Sequence, residues 1–121
     1  MTSTKARVVQ NADDAYEAIR SINHKTFGGA MPAPLLYDVL GSLKGVGHLL
    51  PQALRQLAAG LGRSLDAYDV YEDDNRDPVQ SGATATDHLT RAAALAAHLG
   101  IELDLAKSAI AGQGFRQPAD S

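Results

Sequence analysis

Apolar residues recur along the chain at intervals of three and four, the period of helices that bury one side. The first such run predicts a helix over residues 12–26. Its inward side is formed by Ala12, Ala15, Tyr16, Ile19, Ile22, Asn23 and Phe27. Gly28 and Gly29 are expected to end this helix. Residues 1–11 show no such period and are expected to form a flexible N-terminal segment.

The middle of the chain predicts two further helical segments. Pro34 fits the first turn of a second helix, which is expected to bury Leu36, Val39, Leu40 and Leu43. Gly45 and Gly47 weaken that helix, and Pro51 would either kink it or begin a third one. We favour a break between residues 47 and 50. The third helix is then expected to bury Leu54, Leu57, Ala58, Leu61, Leu65 and Tyr68.

The strongest pattern predicts a fourth helix over residues 84–111. Thr84 and Asp87 resemble a capping box at its start. Its inward side is a near-heptad series of Ala85, Leu89, Ala92, Leu95, Ala96, Leu99, Leu103, Ala106 and Ile110. Gly100 interrupts this series, and Gly112 and Gly114 are expected to end the helix.

These elements predict an all-α protein, an antiparallel bundle of about four helices with the last one longest. The bundle is expected to occupy residues 12–114, followed by a flexible C-terminal tail over 115–121. A length of 121 residues suits a single domain. No apolar run is long enough for a membrane span or a signal peptide, so a cytoplasmic location is expected.

Composition removes several classes of chemistry. The chain has no cysteine, which excludes disulfides, thiolate metal sites and a thiol nucleophile. Its net charge of −3 argues against nucleic-acid binding. No cofactor is predicted.

Two residue patterns resemble known metal sites in part. Asp73, Asn75 and Asp77 alternate as in a calcium loop, but Pro78 and Thr84 occupy the positions that need glycine and glutamate. The four histidines are His24, His48, His88 and His98. None has the carboxylate three residues before it that di-iron bundles use. The sequence therefore predicts no catalytic residue and no metal ligand.

The most acidic part of the chain lies near its middle. Six acids stand there against the single base Arg76. They are Asp66, Asp69, Glu72, Asp73, Asp74 and Asp77. Such a run is usually a solvated loop, and it is also a candidate docking site for a basic protein partner.

Two segments carry a resemblance to other proteins. The runs GGAMPAPLLYDVLGSLKGVGHLLPQALRQLAAGL (28–61) and HLTRAAALAAHLGIELDLAKSAIAGQGF (88–115) resemble uncharacterised small all-helical proteins of actinobacteria. The resemblance implies a helical fold and supplies no activity, site or partner. The helical hairpins of type VII secretion are a looser resemblance, and their tryptophan-x-glycine turn is absent because the chain has no tryptophan.

Two functional interpretations remain open at this point. The first is a non-enzymatic helical interaction or assembly protein that forms a homodimer or binds a second protein. The alternative is a small-molecule-binding or catalytic bundle with a pocket near the helix ends, in which His24, His48 and Tyr37 supply polar groups.

Overall fold

A computed structural model describes residues 4–118, with side chains from residue 7 onward. Within that range 77% of residues are helical and none is in a strand. The helices are α1 (Thr4–Lys25), α2 (Ala33–Ala67) and α3 (Pro78–Ala109). The all-α class is confirmed. The expected antiparallel bundle of about four helices is not confirmed, because the described residues form three helices, and α2, at 35 residues, is longer than the last helix.

The chain divides into two compact units, with the boundary between Pro32 and Ala33. The first unit contains α1, which begins eight residues before the expected start at residue 12. Val8 lies one helical turn before Ala12, so it extends the apolar side that the sequence already showed. Residues 4–11, for which the sequence shows no apolar period, belong to this helix. The predicted glycine stop is confirmed, because Gly28 has a φ of 73° just beyond the helix end.

The second helix continues through the break expected near residues 47–50. Pro51 lacks the N–H that would bond to the Gly47 carbonyl, which normally weakens a helix interior. Here Gly47, Pro51 and Ala58 are all buried on one side of α2. Their burial against α3 outweighs the local preference, so the predicted second and third helices form one element.

The third helix starts at Pro78 rather than near Thr84. Asp77 is its N-cap, and the Asp77 carboxylate accepts a hydrogen bond of 3.0 Å from the Val79 backbone N–H. Pro78 then fits the first helical position, where no N–H is required. The Thr84 hydroxyl donates to the Gln80 carbonyl inside the helix, so the predicted capping box is wrong. The Asp-Pro pair was the signal that the sequence interpretation missed.

Replacing Asp77 by alanine should destabilise the protein by about 0.5–2 kcal/mol, because the first turn of α3 loses its cap. Urea unfolding followed by circular dichroism measures the change. Asp73→Ala is the matched control, since Asp73 is an exposed carboxylate of the same loop. Equal effects of the two substitutions would contradict the capping role.

The second unit is built around an antiparallel hairpin of α2 and α3. The hairpin's direction follows from its cross-contacts: Tyr37 lies against Lys107, Lys44 against Asp104 and Gly47 against Gly100. As the residue number increases along α2, the number of the contacting residue on α3 decreases. Residues 68–77 connect the two helices at the hairpin tip.

The two helices meet along stripes of alternating three- and four-residue spacing, which we call the inner seam. On α2 it consists of Ala33, Tyr37, Leu40, Lys44, Gly47, Pro51, Leu54 and Ala58. On α3 it consists of Leu89, Ala93, Ala96, Gly100, Leu103 and Lys107. All of these residues are buried or half-buried. This spacing is typical of helix pairs that pack at a small crossing angle.

The inner seam differs from the stripe expected on the last helix. Leu89, Ala96 and Leu103 belong to both, but Leu95 is 69% exposed and Leu99 is 50% exposed. Burial of these two leucines, which the series on the last helix predicts, is not seen within the single chain. Gly100, which looked like an interruption, lies at the centre of the contact instead.

Candidate functional site

The hairpin is closest where a glycine of each helix faces the other. A Cβ built on Gly47 would lie 2.6 Å from the Gly100 Cα and 2.9 Å from the Gly100 nitrogen. Both of these are backbone atoms, so no side-chain rotation can relieve the clash. The backbones therefore touch here, and the space between them accommodates no side chain.

Small residues also dominate the rest of the buried core. The buried apolar side chains among the described residues are Leu40, Pro51 and four alanines: Ala33, Ala58, Ala93 and Ala96. Alanine buries little apolar area, so the hairpin contact supplies only a modest hydrophobic stabilisation. Most of the large apolar residues of α2 and α3 lie elsewhere.

One side of the hairpin is polar. The Lys44 Nζ lies 2.8 Å from an Asp104 carboxylate oxygen, and the Lys107 Nζ lies 4.2 Å from the centre of the Tyr37 ring. The hydrogen bond from Lys44 lowers the pKa of Asp104 below its ordinary value, helped by the positive charges of Lys44, Lys107 and His48. These groups link the two helices across the polar side.

The Asp104 pairing predicts a pH dependence of stability. The pKa of Asp104 is lower in the folded chain than the ordinary 3.8, so the pairing stabilises the fold at neutral pH. That contribution is lost as the pH falls below 3.8 toward the folded-state value. We therefore expect the gap in urea midpoint between the native chain and Asp104→Asn to narrow from pH 7 to pH 3. A gap that is unchanged or wider at pH 3 would show that the pair does not act through its charge.

The opposite side of the hairpin is apolar. Every position of α2 that immediately precedes an inner-seam residue, from residue 36 to residue 57, carries an apolar side chain: Leu36, Val39, Leu43, Val46, Leu50, Ala53 and Leu57. The equivalent positions of α3 are His88, Ala92, Leu95, Leu99, Glu102 and Ala106. We call the α2 set together with Ala92, Leu95 and Leu99 the apolar face.

Both halves of the apolar face lie on the same side of the hairpin. When two antiparallel right-handed helices are viewed along a common axis, successive residues of the two chains rotate in opposite directions. The sides by which the helices contact each other also point in opposite directions. Positions before the seam therefore share one side, and positions after it share the other. His48 and Asp104 both follow seam residues, which places both on the polar side.

The centre of the apolar face is open to solvent. Leu50 is 37% exposed, and Val46, Leu57, Leu95 and Leu99 are exposed to at least half of their full area. The spacing of its α2 residues is again three and four, so α2 carries two adjacent heptad stripes. A helix with two such stripes is typical of a bundle in which it packs against two neighbours. Within the hairpin, the inner seam of α2 packs against α3, whereas the second stripe faces no helix.

A groove of about 600 Å³ continues the apolar side at the hairpin tip. Its walls come from the end of α2, the connecting loop and the start of α3, and they include Leu61, Leu65, Val70 and Val79. Polar groups are few, and among them the Ser81 hydroxyl donates a hydrogen bond to the Glu72 carboxylate. The expected pocket residues His24, His48 and Tyr37 do not line this groove.

The acidic segment lies at the same tip, and part of it has local structural roles. Asp77 caps α3, Glu72 accepts from Ser81, and Asp74 pairs with Arg76 at 2.6 Å. Asp66, Asp69 and Asp73 are exposed. Docking of a basic partner on this segment stays a prediction, and substitutions at Asp66, Asp69 and Asp73 test it with least disturbance to the loop.

The histidines lie on separate parts of the helices. His24 is in the last turn of α1, His48 is on the polar side of the hairpin, and His98 lies 3.8 Å from Glu102. His88 is within 3.4 Å of Arg91. In the part of the chain that the structure describes, no three histidine or acidic residues come together as metal ligands would.

The described helices include no segment with the length and hydropathy needed to cross a membrane. The resemblance to actinobacterial helical proteins stays a prediction. No protein-family model, curated protein or solved structure matches the chain.

Proposed function

We propose that this chain is a non-enzymatic helical assembly protein, in which the α2–α3 hairpin docks another protein molecule on its apolar face. The observation that carries the proposal is the second heptad stripe of α2. From Leu36 to Leu57 it contains no polar side chain, and the hairpin leaves its central part exposed. The ligand chemistry that fits such a stripe is an apolar helix surface.

The energetics of the hairpin favour an apolar face that is covered by another protein molecule. The inner seam buries mainly alanine and glycine, whereas the leucines of the apolar face remain in contact with water. Burying one leucine fully gains about 1.5–3 kcal/mol. Leu50, Leu57, Leu95 and Leu99 are between 37% and 69% exposed, so covering them would add roughly 3–6 kcal/mol, a substantial fraction of the stability of a small domain.

Site-specific photo-crosslinking in the native host tests the proposal. A benzoylphenylalanine at position 50 lies within the apolar face, and the same residue at position 49 is the matched control. Leu49 is the more exposed of the two at 72%, but it points away from the face. We expect covalent protein adducts from position 50 and few or none from position 49.

The outcomes separate the possibilities. An adduct confined to position 50 supports docking on the apolar face, and its mass identifies the kind of partner. Equal labelling at both positions, or none at position 50, contradicts the proposal. Circular dichroism of both variants controls for folding.

A small apolar ligand at the hairpin tip is the second candidate function, favoured by the 600 Å³ groove. That volume is within the range of small-molecule sites, and its apolar walls with one Ser81–Glu72 pair resemble their usual composition. Thermal-shift measurements with fatty acids and aromatic metabolites test it. A ligand at a hundred times its Kd should stabilise the chain by about 2.7 kcal/mol. Val79→Trp should abolish the shift by filling the groove, and a shift that survives this change would place the ligand elsewhere.

A further inference from the structure

We infer that the occupant of the apolar face is a second copy of this chain, so that two hairpins form a four-helix assembly around a two-fold axis. The inference rests on the proposed docking function and names its partner. The axis runs across the two helices, perpendicular to both and parallel to the apolar face. It passes beside Leu50 of α2 and beside residue 97 of α3. A two-fold interface requires a self-complementary surface, and three features of this side of the hairpin meet that requirement.

The leucine repeat of α2 is symmetric about Leu50. Leu43 lies seven residues before it and Leu57 seven residues after it. When two α2 helices pack antiparallel with Leu50 opposite Leu50, Leu43 of each copy faces Leu57 of the other. The stripe therefore fits a second copy of itself without a change in spacing.

The exposed leucines of α3 are symmetric about the same level. Gly47 faces Gly100, so Leu50, three residues later on α2, is level with residue 97 on the antiparallel α3. Leu95 and Leu99 lie two residues to either side of position 97. The axis that superposes Leu50 on itself therefore brings Leu95 of one copy opposite Leu99 of the other.

Charges at the outer border of α3 follow the same symmetry. Arg91 lies six residues before position 97 and Glu102 five residues after it, and both are exposed. In the two-fold arrangement Arg91 of each copy lies beside Glu102 of the other, which gives two equivalent ion pairs. Within one chain the Arg91 guanidinium lies 3.4 Å from His88 Nδ1, and the Glu102 carboxylate lies 3.8 Å from His98 Nε2.

The area is sufficient for a stable dimer. About the proposed axis, α2 overlaps its copy over all 35 residues, about 52 Å, and α3 overlaps its copy over residues 85–109, about 37 Å, and each helix is about 10 Å wide. A second hairpin laid on this side would cover roughly 900 Å² per copy, and stable complexes bury about 800 Å² per partner. A short peptide helix would leave much of the face exposed.

Sedimentation equilibrium of the full chain over a range of concentrations tests the inference. We expect a dimer, with Leu50→Asp raising its Kd at least about tenfold and Leu49→Asp leaving it nearly unchanged. Because the chain has no cysteine, Leu50→Cys provides a second test that does not rely on a disruptive change. Oxidation should link Leu50→Cys into a covalent dimer and leave Leu49→Cys monomeric under denaturing conditions.

Charge reversal tests the symmetry itself. Arg91→Glu and Glu102→Arg should each weaken the dimer, because like charges then meet twice across the axis. The double variant R91E/E102R should restore it. Unchanged affinity in the single variants, or no rescue in the double variant, would overturn the proposed axis.

The failure of this inference is distinguishable from failure of the docking function. A monomer at all concentrations, with its face bare or covered by another part of the chain, overturns the second copy as occupant. Photo-crosslinking from position 50 to a protein of different mass would then still support docking. Absence of any adduct at position 50 would contradict both the docking function and the second copy as its partner.

Discussion

Gly47→Ala should be strongly destabilising, although it introduces a better helix former. The added methyl group would sit 2.6 Å from the Gly100 Cα, so α2 and α3 must separate at their closest point. Overpacking of this kind costs about 1–3 kcal/mol and more where the backbone cannot yield. Urea or thermal unfolding, followed by circular dichroism, measures the loss.

Gly45→Ala is the matched control for this substitution. It lies in the same helix two residues away, and a Cβ there meets nothing within 4 Å. Alanine should therefore stabilise α2 by about 0.5–1 kcal/mol through helix propensity alone. The opposite signs of two glycine-to-alanine changes identify the backbone contact. The same sign for both would show that the helices do not approach as described.

Leu40→Ala should give the largest loss among single truncations in the hairpin. Leu40 is the large apolar residue of the inner seam with the lowest exposure, at 9%. Removing its side chain leaves a cavity between the helices and should cost about 2–5 kcal/mol. The free energy of unfolding in urea is the appropriate measure.

Leu105→Ala provides the reference for that measurement. Leu105 lies on α3 outside both the inner seam and the apolar face, and it is largely exposed. Its truncation should change stability by no more than about 0.5 kcal/mol. Comparable losses for Leu40→Ala and Leu105→Ala would contradict the position of the inner seam.

Local rules predicted much of the helical structure. The all-α class, the glycine stop after α1 and the first turn of α2 at Pro34 follow from periodicity and from the backbone preferences of glycine and proline. Proline lacks a backbone N–H, so the sequence predicts a break at Pro51. The break does not occur, because packing against α3 compensates for the missing hydrogen bond. The start of α3 at Asp77–Pro78 follows from the same preferences, since aspartate caps helices and proline fits the first helical position.

The apolar pattern of α3 could not be assigned to one neighbour from the sequence. The expected stripe through Ala92, Leu95 and Leu99 combined residues of the inner seam with residues of the apolar face, which lie side by side on the helix. Hydrophobicity favoured the leucines as the buried set. The structure buries Ala93, Ala96 and Gly100 instead, since only small residues allow the close backbone approach at Gly47.

The glycine contact also fixes the register of the hairpin. If α3 slid by one heptad along α2, Gly100 would face Leu40 in one direction or Leu54 in the other, because both positions repeat the seam. A leucine has no space where two backbones touch, and the helices would be forced apart over several turns. Heptad repeats are normally prone to such slippage. In this hairpin, the one level at which both helices carry glycine permits only one alignment of α3 along α2.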